Sequence, residues 1–406
     1  MGNLSTENHD KTLADDSGPA KSPPAALRVV FLADHEVLRC YGPVLKRLAV
    51  GLLDEVNDLS ILSLGPSKFL RYVPSPPVRL ITETRSHQSD FRFDITARQT
   101  TISAGQSALF DKLWPHYRLA RLANSISLYK PTLLHALSEK HAHLAQHISK
   151  ILGINYVVSM LAIDSISLAF NDPRCGAILC SNSALARKIR HNQPHLASRV
   201  HIQPIGTHVP DEPCCFSRPS GTSVIFCCSP LEYGYGLTTL INALKRLSQK
   251  GAQPLLFLSG HGSAEHDLFQ QVKQLSLQNQ VHFIPPPDVM LSVSDAYQVV
   301  LREADIFVQP QPVRFWQPEL LEAMSVGNAV VAADGKNNDL IIDNKTALSV
   351  PFQDEQVLTD SLLRLLQDHN YACSLACSAQ QHLRKHFLVS HMISQLTKTY
   401  RQALQI

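Results

Sequence analysis

The stretch RFWQPELLEAMSVGNAVVAADG, residues 314 to 335, gathers Arg314, Glu319 and Glu322 into one short span. The planar guanidinium of Arg314 is suited to take a phosphate through two hydrogen bonds, or to form a surface ion pair with Glu319. Pro318 and Glu319 open an expected helix, whose free N–H groups and positive dipole end favour an anion. Glu319 in that first turn also suits the dipole by its own charge. Phe315 and Trp316 offer faces on which a nucleobase or sugar ring stacks, or which serve packing. The chemistry this span points to is the holding of an anion beside a ring.

Side chains of this kind need elements that bring their loop to a strand end. From Leu27 onward, short apolar runs alternate with longer amphipathic stretches, the pattern of parallel sheets covered by helices on both faces. Strands are expected at 28–33, 59–64, 132–136, 155–160 and 177–180, then at 223–228, 254–260, 281–284, 305–310 and 329–333. Helices are expected from Leu237, over 264–275 and over 389–405. Between the halves, QPIGTHVPDEPCCFSRPSG (203–221) carries four prolines and two glycines and no periodicity, so it reads as a linker. The expected fold is α/β: two tandem Rossmann-like, doubly wound domains facing a cleft. The expected division is a disordered tail over 1–26, a first domain over 27–202, the linker, a second domain over 222–388, and a final helix over 389–406. Ligands of such sheets bind outside the carboxyl ends of the strands.

The chain has 406 residues, enough for two cores. With 44% hydrophobic residues, 17% charged residues and a net charge of +3, no strong field draws it to nucleic acid. Nine cysteines are scattered without a paired CxxC zinc pattern, and reduced thiols in a cytosol are expected. There is no run of about 18 apolar residues, and the start of the chain lacks an apolar signal region. MGNLST fits the N-myristoylation pattern at Gly2 and is read as an ordinary N-terminus. The expected setting is cytoplasmic; the segment 107–122 is read as core packing, with peripheral contact at the inner face of the membrane as the alternative. In that segment Phe110, Trp114 and Tyr117 are mixed with Lys112, Arg118 and Arg121, and Pro115 interrupts it.

Several motifs run in the order and spacing of one enzyme family. GHGS (260–263) resembles its glycine-rich turn, with Gly260 and Gly262. READIFVQP (302–310) resembles its strand before the donor loop, and LLEAMSVGNAVVAAD (320–334) its donor helix and following strand. KPTLLHA (130–136) and HIQPIGTHV (201–209) give weaker support in the first half. The chain thus resembles the retaining family-four glycosyltransferases of the GT-B type. The resemblance implies transfer of a hexose-type sugar from a nucleotide-diphosphate donor to a glycan or lipid-linked acceptor, as in polysaccharide biosynthesis, with no metal or other cofactor. It implies donor binding at Gly260, Gly262, Leu320, Leu321 and Glu322, with Glu322 on the ribose hydroxyls, and the guanidinium of Arg314 is added to this donor-binding set from its own chemistry. It also implies that the last helix packs back on the first domain.

The departures fall on the side chains that would carry the chemistry. Arg314 stands where the family has its first glutamate, and Gln317 where it has a glycine. Pro230 and Tyr235 replace the Arg and Lys that grip the diphosphate, contacts worth about 1.5 to 3 kcal/mol each. Leu161 stands where a histidine is usual. Arg314 and Glu319 remain as candidates for catalysis, Arg314 replacing lost positive charge and Glu319 the lost acid. Two further patterns are weaker. Glu139, His143 and His147 are spaced for one helix face, but no further metal ligand stands out. GYG at 234–236 lacks the third glycine of a dinucleotide fingerprint, which speaks against a nicotinamide-dependent oxidoreductase. The reading is a glycosyltransferase; the alternative is a catalytically silent GT-B scaffold that binds a nucleotide or a partner.

Overall fold

The computed structural model describes residues 26–34, 37, 44–45, 47–48, 50–52, 55–56, 58–64, 115–160, 171–217, 221–284, 299–312, 318–333 and 338–405. Residues 1–25 of the expected tail over 1–26, residues 107–114 of the 107–122 segment, Leu161, Arg314, Phe315, Trp316 and Gln317 lie outside the described residues.

The first half builds a parallel sheet from β1 (Arg28–Asp34), β2 (Asp58–Leu64), β3 (Leu133–Ala136), β4 (Asn155–Met160), β5 (Cys175–Cys180) and β6 (Val200–Ile202). Its order is β2-β1-β3-β4-β5-β6. Helices α1 (Pro115–Ser127), α2 (Ala142–Leu152) and α3 (Ser183–Asn192) run between its strands. Pro115 is the first described residue of α1.

The second half repeats the plan with β7 (Val224–Cys228), α4 (Leu237–Gln249), β8 (Leu255–Ser259), α5 (Glu265–Gln274) and β9 (Val281–Ile284). It continues with β10 (Ile306–Gln309), α6 (Pro318–Val326), β11 (Ala329–Ala333) and β12 (Leu348–Val350). Three helices close the chain: α7 (Glu355–Gln367), α8 (His369–His386) and α9 (Val389–Leu404). The sheet order is β12-β11-β10-β7-β8-β9, all parallel, so the strand sequence reverses between β7 and β10. That reversal makes a crevice at the carboxyl ends of these two strands.

The patterning explains the elements. In α4, Leu237, Leu240, Ile241, Leu244 and Leu247 are buried, the i, i+3, i+4, i+7 stripe of a helix with one face on a sheet. Every residue of β11 is buried, which is why AVVAA shows no alternation. The expected strands recur within a few residues, while β6 and β12, three residues each, carry too little sequence to show a period.

The two sheets are joined twice. Residues 203–217 lead from β6 towards β7, and the chain returns after α8 so that α9 packs on β4 and β5 of the first sheet. The Asn155 side chain donates to the Ala403 carbonyl (2.6 Å), and Gly176 meets Ala403 so closely that a Cβ there would overlap it. His135, buried on β3, lies between the Tyr400 hydroxyl (2.7 Å) and the Ser159 hydroxyl (2.8 Å). Burial holds its imidazole down at about 3. The two crossings also meet each other: Thr207 N–H donates to the Phe387 carbonyl (2.8 Å), and a Cβ on Gly206 would strike Leu388. One apolar cluster runs from Val29 and Phe31 through Ile205 and Phe387 to Phe307, Leu320 and Leu321.

Candidate functional site

The loops after β7, β8 and β10 meet at the crevice of the second sheet. Leu231 N–H donates to the His261 carbonyl (3.0 Å), and Ala264 N–H to the Leu231 carbonyl (2.8 Å), so loops 229–236 and 260–264 run side by side. Glu232 accepts from Ser263 N–H (3.0 Å) and from the Ser263 hydroxyl, and these bonds hold its carboxyl below the usual range. Gly260 and Gly262 are what this approach requires: a Cβ on Gly260 would overlap the Ser229 carbonyl, and one on Gly262 the Leu231 carbonyl. Gly236, at φ +77°, caps α4 and presses on the Pro310 carbonyl, which ties the β7 loop to the β10 loop. A cavity of about 120 Å³ lies beside this turn, lined by Glu232, Tyr235, Thr238, Asp267, Gln271 and Gln353. Tyr235, in place of the lysine the resemblance leads one to expect, is one wall of it, while Pro230 is exposed.

Helix α6 starts at the same edge. Leu320 and Leu321 point into the apolar cluster, so what they present at the helix start is backbone alone. Glu319 is partly covered, and its carboxyl is pushed up to about 7: desolvation is the largest cause, a backbone hydrogen bond opposes it, and the charge of Glu322 adds to it. A carboxyl at that value exchanges a proton near neutral pH.

Glu322 is 6% exposed and is held by partners from elsewhere in the chain. Arg47 Nη1 lies 2.6 Å from its Oε1, both side chains being buried. The Thr207 hydroxyl is 3.3 Å from each carboxylate oxygen, and Arg47 also donates to the Gly206 carbonyl (3.2 Å). Arg47 belongs to the helical segment after β1, Thr207 to the first crossing and Glu322 to α6. The carboxylate that the resemblance puts on ribose therefore pins the two domains together in this arrangement.

A second polar contact joins the domains. Asp339, after β11, accepts from Ser183 N–H (2.7 Å) and the Ser183 hydroxyl (2.5 Å) at the start of α3, where Asn182 caps Leu185 N–H. Within the second domain, Asp305 accepts from Phe216 N–H (2.9 Å) and Val224 N–H (2.8 Å) and so clips the end of the first crossing to β7. Sequence reasoning did not single out Arg47, Asp339 or Asp305, because their partners are distant along the chain. Thr207 lay inside the HIQPIGTHV motif, which was its only signal.

The other expected clusters separate. Glu139 is buried in a 3-10 turn ahead of α2, whereas His143 and His147 are exposed on α2 itself, so the three do not share one helix face. Among the described residues no group of three or more His, Cys, Asp or Glu is placed to hold a metal. Nor is any described helix long and apolar enough to cross a membrane.

Comparison with known proteins agrees with the architecture. Residues 222–368 match the sequence family described as Glycosyl transferases group 1. No curated protein matches the chain. Among solved structures, a glycosyltransferase from Rickettsia africae ESF-5 is similar at TM-score 0.70 and 13% identity, covering 94% of this chain and 99% of that one. Anabaena HepE, solved with UDP and glucose, is similar at TM-score 0.67 and 15% identity, covering 92% and 99%. A sucrose-phosphate synthase from Thermosynechococcus elongatus gives TM-score 0.64 at 15% identity, covering 92% and 98%. The solved structures share the two-domain GT-B fold along nearly the whole chain, and the match to glycosyl transferases group 1 is carried by the second domain.

Proposed function

We propose that the chain transfers a sugar from a nucleoside-diphosphate donor to a hydroxyl of a glycan or lipid-linked acceptor. The observation that carries this reading is the family match over 222–368, which spans the three loops converging at the β7/β10 crevice and the start of α6. In the reaction the bond from the anomeric carbon to the diphosphate oxygen breaks, a bond to the acceptor oxygen forms, and the acceptor hydroxyl loses its proton. The free N–H groups at the start of α6 and the cation of Arg314 are assigned to the leaving diphosphate. Glu319 is assigned a proton or a sugar hydroxyl, and Gly260 and Gly262 the close approach of backbone to the donor.

Related folds suggest the first ligands to try, since HepE was solved with UDP and glucose. Calorimetric titration with UDP, other nucleoside diphosphates and their sugars tests donor binding, and a transfer assay tests catalysis. Arg314→Ala should weaken a nucleoside diphosphate by about 1.5 to 3 kcal/mol. Absence of heat with any nucleotide at millimolar concentration would reject the donor assignment. Peripheral membrane contact through 107–122 is part of this reading for a lipid-linked acceptor; flotation with anionic vesicles tests it, and protein left at the bottom of the gradient discards it.

One observation favours the second reading, a silent scaffold of the same fold. Glu322 is already engaged by Arg47 and Thr207, and Pro230 and Tyr235 supply no cation to the diphosphate. Nucleotide binding without sugar transfer would select that reading.

A further inference from the structure

Four cysteines gather where the first crossing enters the second domain: Cys214 and Cys215 on the crossing, Cys373 and Cys377 one turn apart on α8. Cys214 turns towards the Leu301 and Ala304 carbonyls (3.6 and 3.8 Å). Cys215 and Cys373 face each other, with their sulfurs 3.5 Å apart and the Cys373 thiol also 3.3 Å from the Cys215 carbonyl oxygen. Neighbouring rings hold this approach, since Phe216 stacks on His369 at 3.9 Å and 12°. The group is not arranged for a metal, so its available chemistry is that of a thiol pair.

We propose that Cys215 and Cys373 are a redox-sensitive pair that closes to a disulfide by exchange with a small-molecule disulfide such as glutathione disulfide. Cys373 is partly exposed and Cys215 is 2% exposed, which sets the order of events. The Cys373 thiolate attacks one sulfur of glutathione disulfide, that S–S bond breaks, and one glutathione leaves and takes up a proton. Cys215 then gives up its proton and attacks the Cys373 sulfur, forming the Cys215–Cys373 bond and breaking the mixed disulfide, and the second glutathione leaves and takes up that proton. The protein dithiol loses two electrons and the small disulfide gains them. Burial, and next the charge of Cys373, raise the Cys215 thiol.

The location gives the bond a consequence. Cys214 N–H and Cys215 N–H donate to the Val326 and Gly327 carbonyls (3.0 and 3.1 Å), placing the crossing against the end of α6. Cys373 sits on α8, which runs on into the second crossing at Phe387. Oxidation would fasten the entry of the first crossing covalently to α8 within the second domain, over the exposed stretch around 211–217.

The test uses the full chain, reduced and then incubated with glutathione disulfide, alkylated and mapped as peptides without reduction. The expected result is a linked pair of peptides carrying Cys215 and Cys373 and the loss of two of nine thiols. Limited proteolysis near 211–217 should slow at least several-fold and recover with dithiothreitol. Cys373→Ser, at the partly exposed member of the pair, should abolish the linked peptide and the slowing, whereas Cys377→Ser should keep both. Glutathione retained on Cys373 with Cys215 still alkylated, or a Cys373–Cys377 link, would overturn the proposal.

Discussion

Arg47 and Glu322 form a buried ion pair at the junction, 2.6 Å apart. Two charges taken out of water are tolerated only while they satisfy each other, and removing one strands the other. Arg47→Met should therefore cost about 3 to 5 kcal/mol in denaturant unfolding, and Arg47→Met combined with Glu322→Gln should recover most of that loss. Equal losses in the single and double variants would show that the pair is not coupled. Glu319 makes a separate prediction through pH. Its carboxyl rises from 4.5 to about 7 on folding, so the folded protein binds this proton more tightly than the unfolded chain. The stability it contributes is full below pH 4.5 and is lost as pH rises through about 7. Glu319→Gln should flatten the stability profile across that window by at most about 3 kcal/mol, the partial exposure of the residue making the effect smaller.

The turn that opens α4 shows how an element is fitted to its neighbours. Gly234 and Gly236 both have positive φ, +81° and +77°, but only Gly236 is crowded, against the Pro310 carbonyl. Gly234→Ala should cost about 1 to 2 kcal/mol, the strain of a left-handed backbone alone. Gly236→Ala adds a collision between the β7 and β10 loops, so it should cost more and should also weaken any nucleotide binding at the crevice. A thermal-unfolding comparison of the two variants checks the first expectation and calorimetry the second; equal shifts in melting would mean that the loops are not locked together. The same close approach at Gly260 explains why GHGS was legible as a motif: the constraint is local in type, a residue without a Cβ, even though the atom it avoids is 31 residues away at Ser229.

Across the molecule, the two crossings decide how the domains are held. Residues 203–207 are mostly buried and bonded to 387–388, while Asp211, Glu212 and Ser217 are exposed. Proteolysis of the native protein should therefore nick at 211–217, not at 203–207. The fragments should stay together until denaturant is added, because α9 belongs to the second fragment and packs on the first sheet. Immediate separation on gel filtration would contradict that packing.

The amino-acid order by itself determined the alternation of strands and helices, since an apolar run such as AVVAA and a stripe such as that of α4 are local consequences of which faces are covered. It also determined the glycines of the crevice and the entry of α6, which depend on residue type at a single position. Only the tertiary structure decided what the charged groups do. Glu322 could be read as a ligand carboxylate from its helix, but its partner Arg47 lies 275 residues earlier, and no local pattern connects them. Asp339 and Ser183, and Cys215 and Cys373, are likewise joined only when the second domain and the returning helices close on the first crossing. Periodicity records which side of an element is buried; the identity of what buries it is a property of the packed chain.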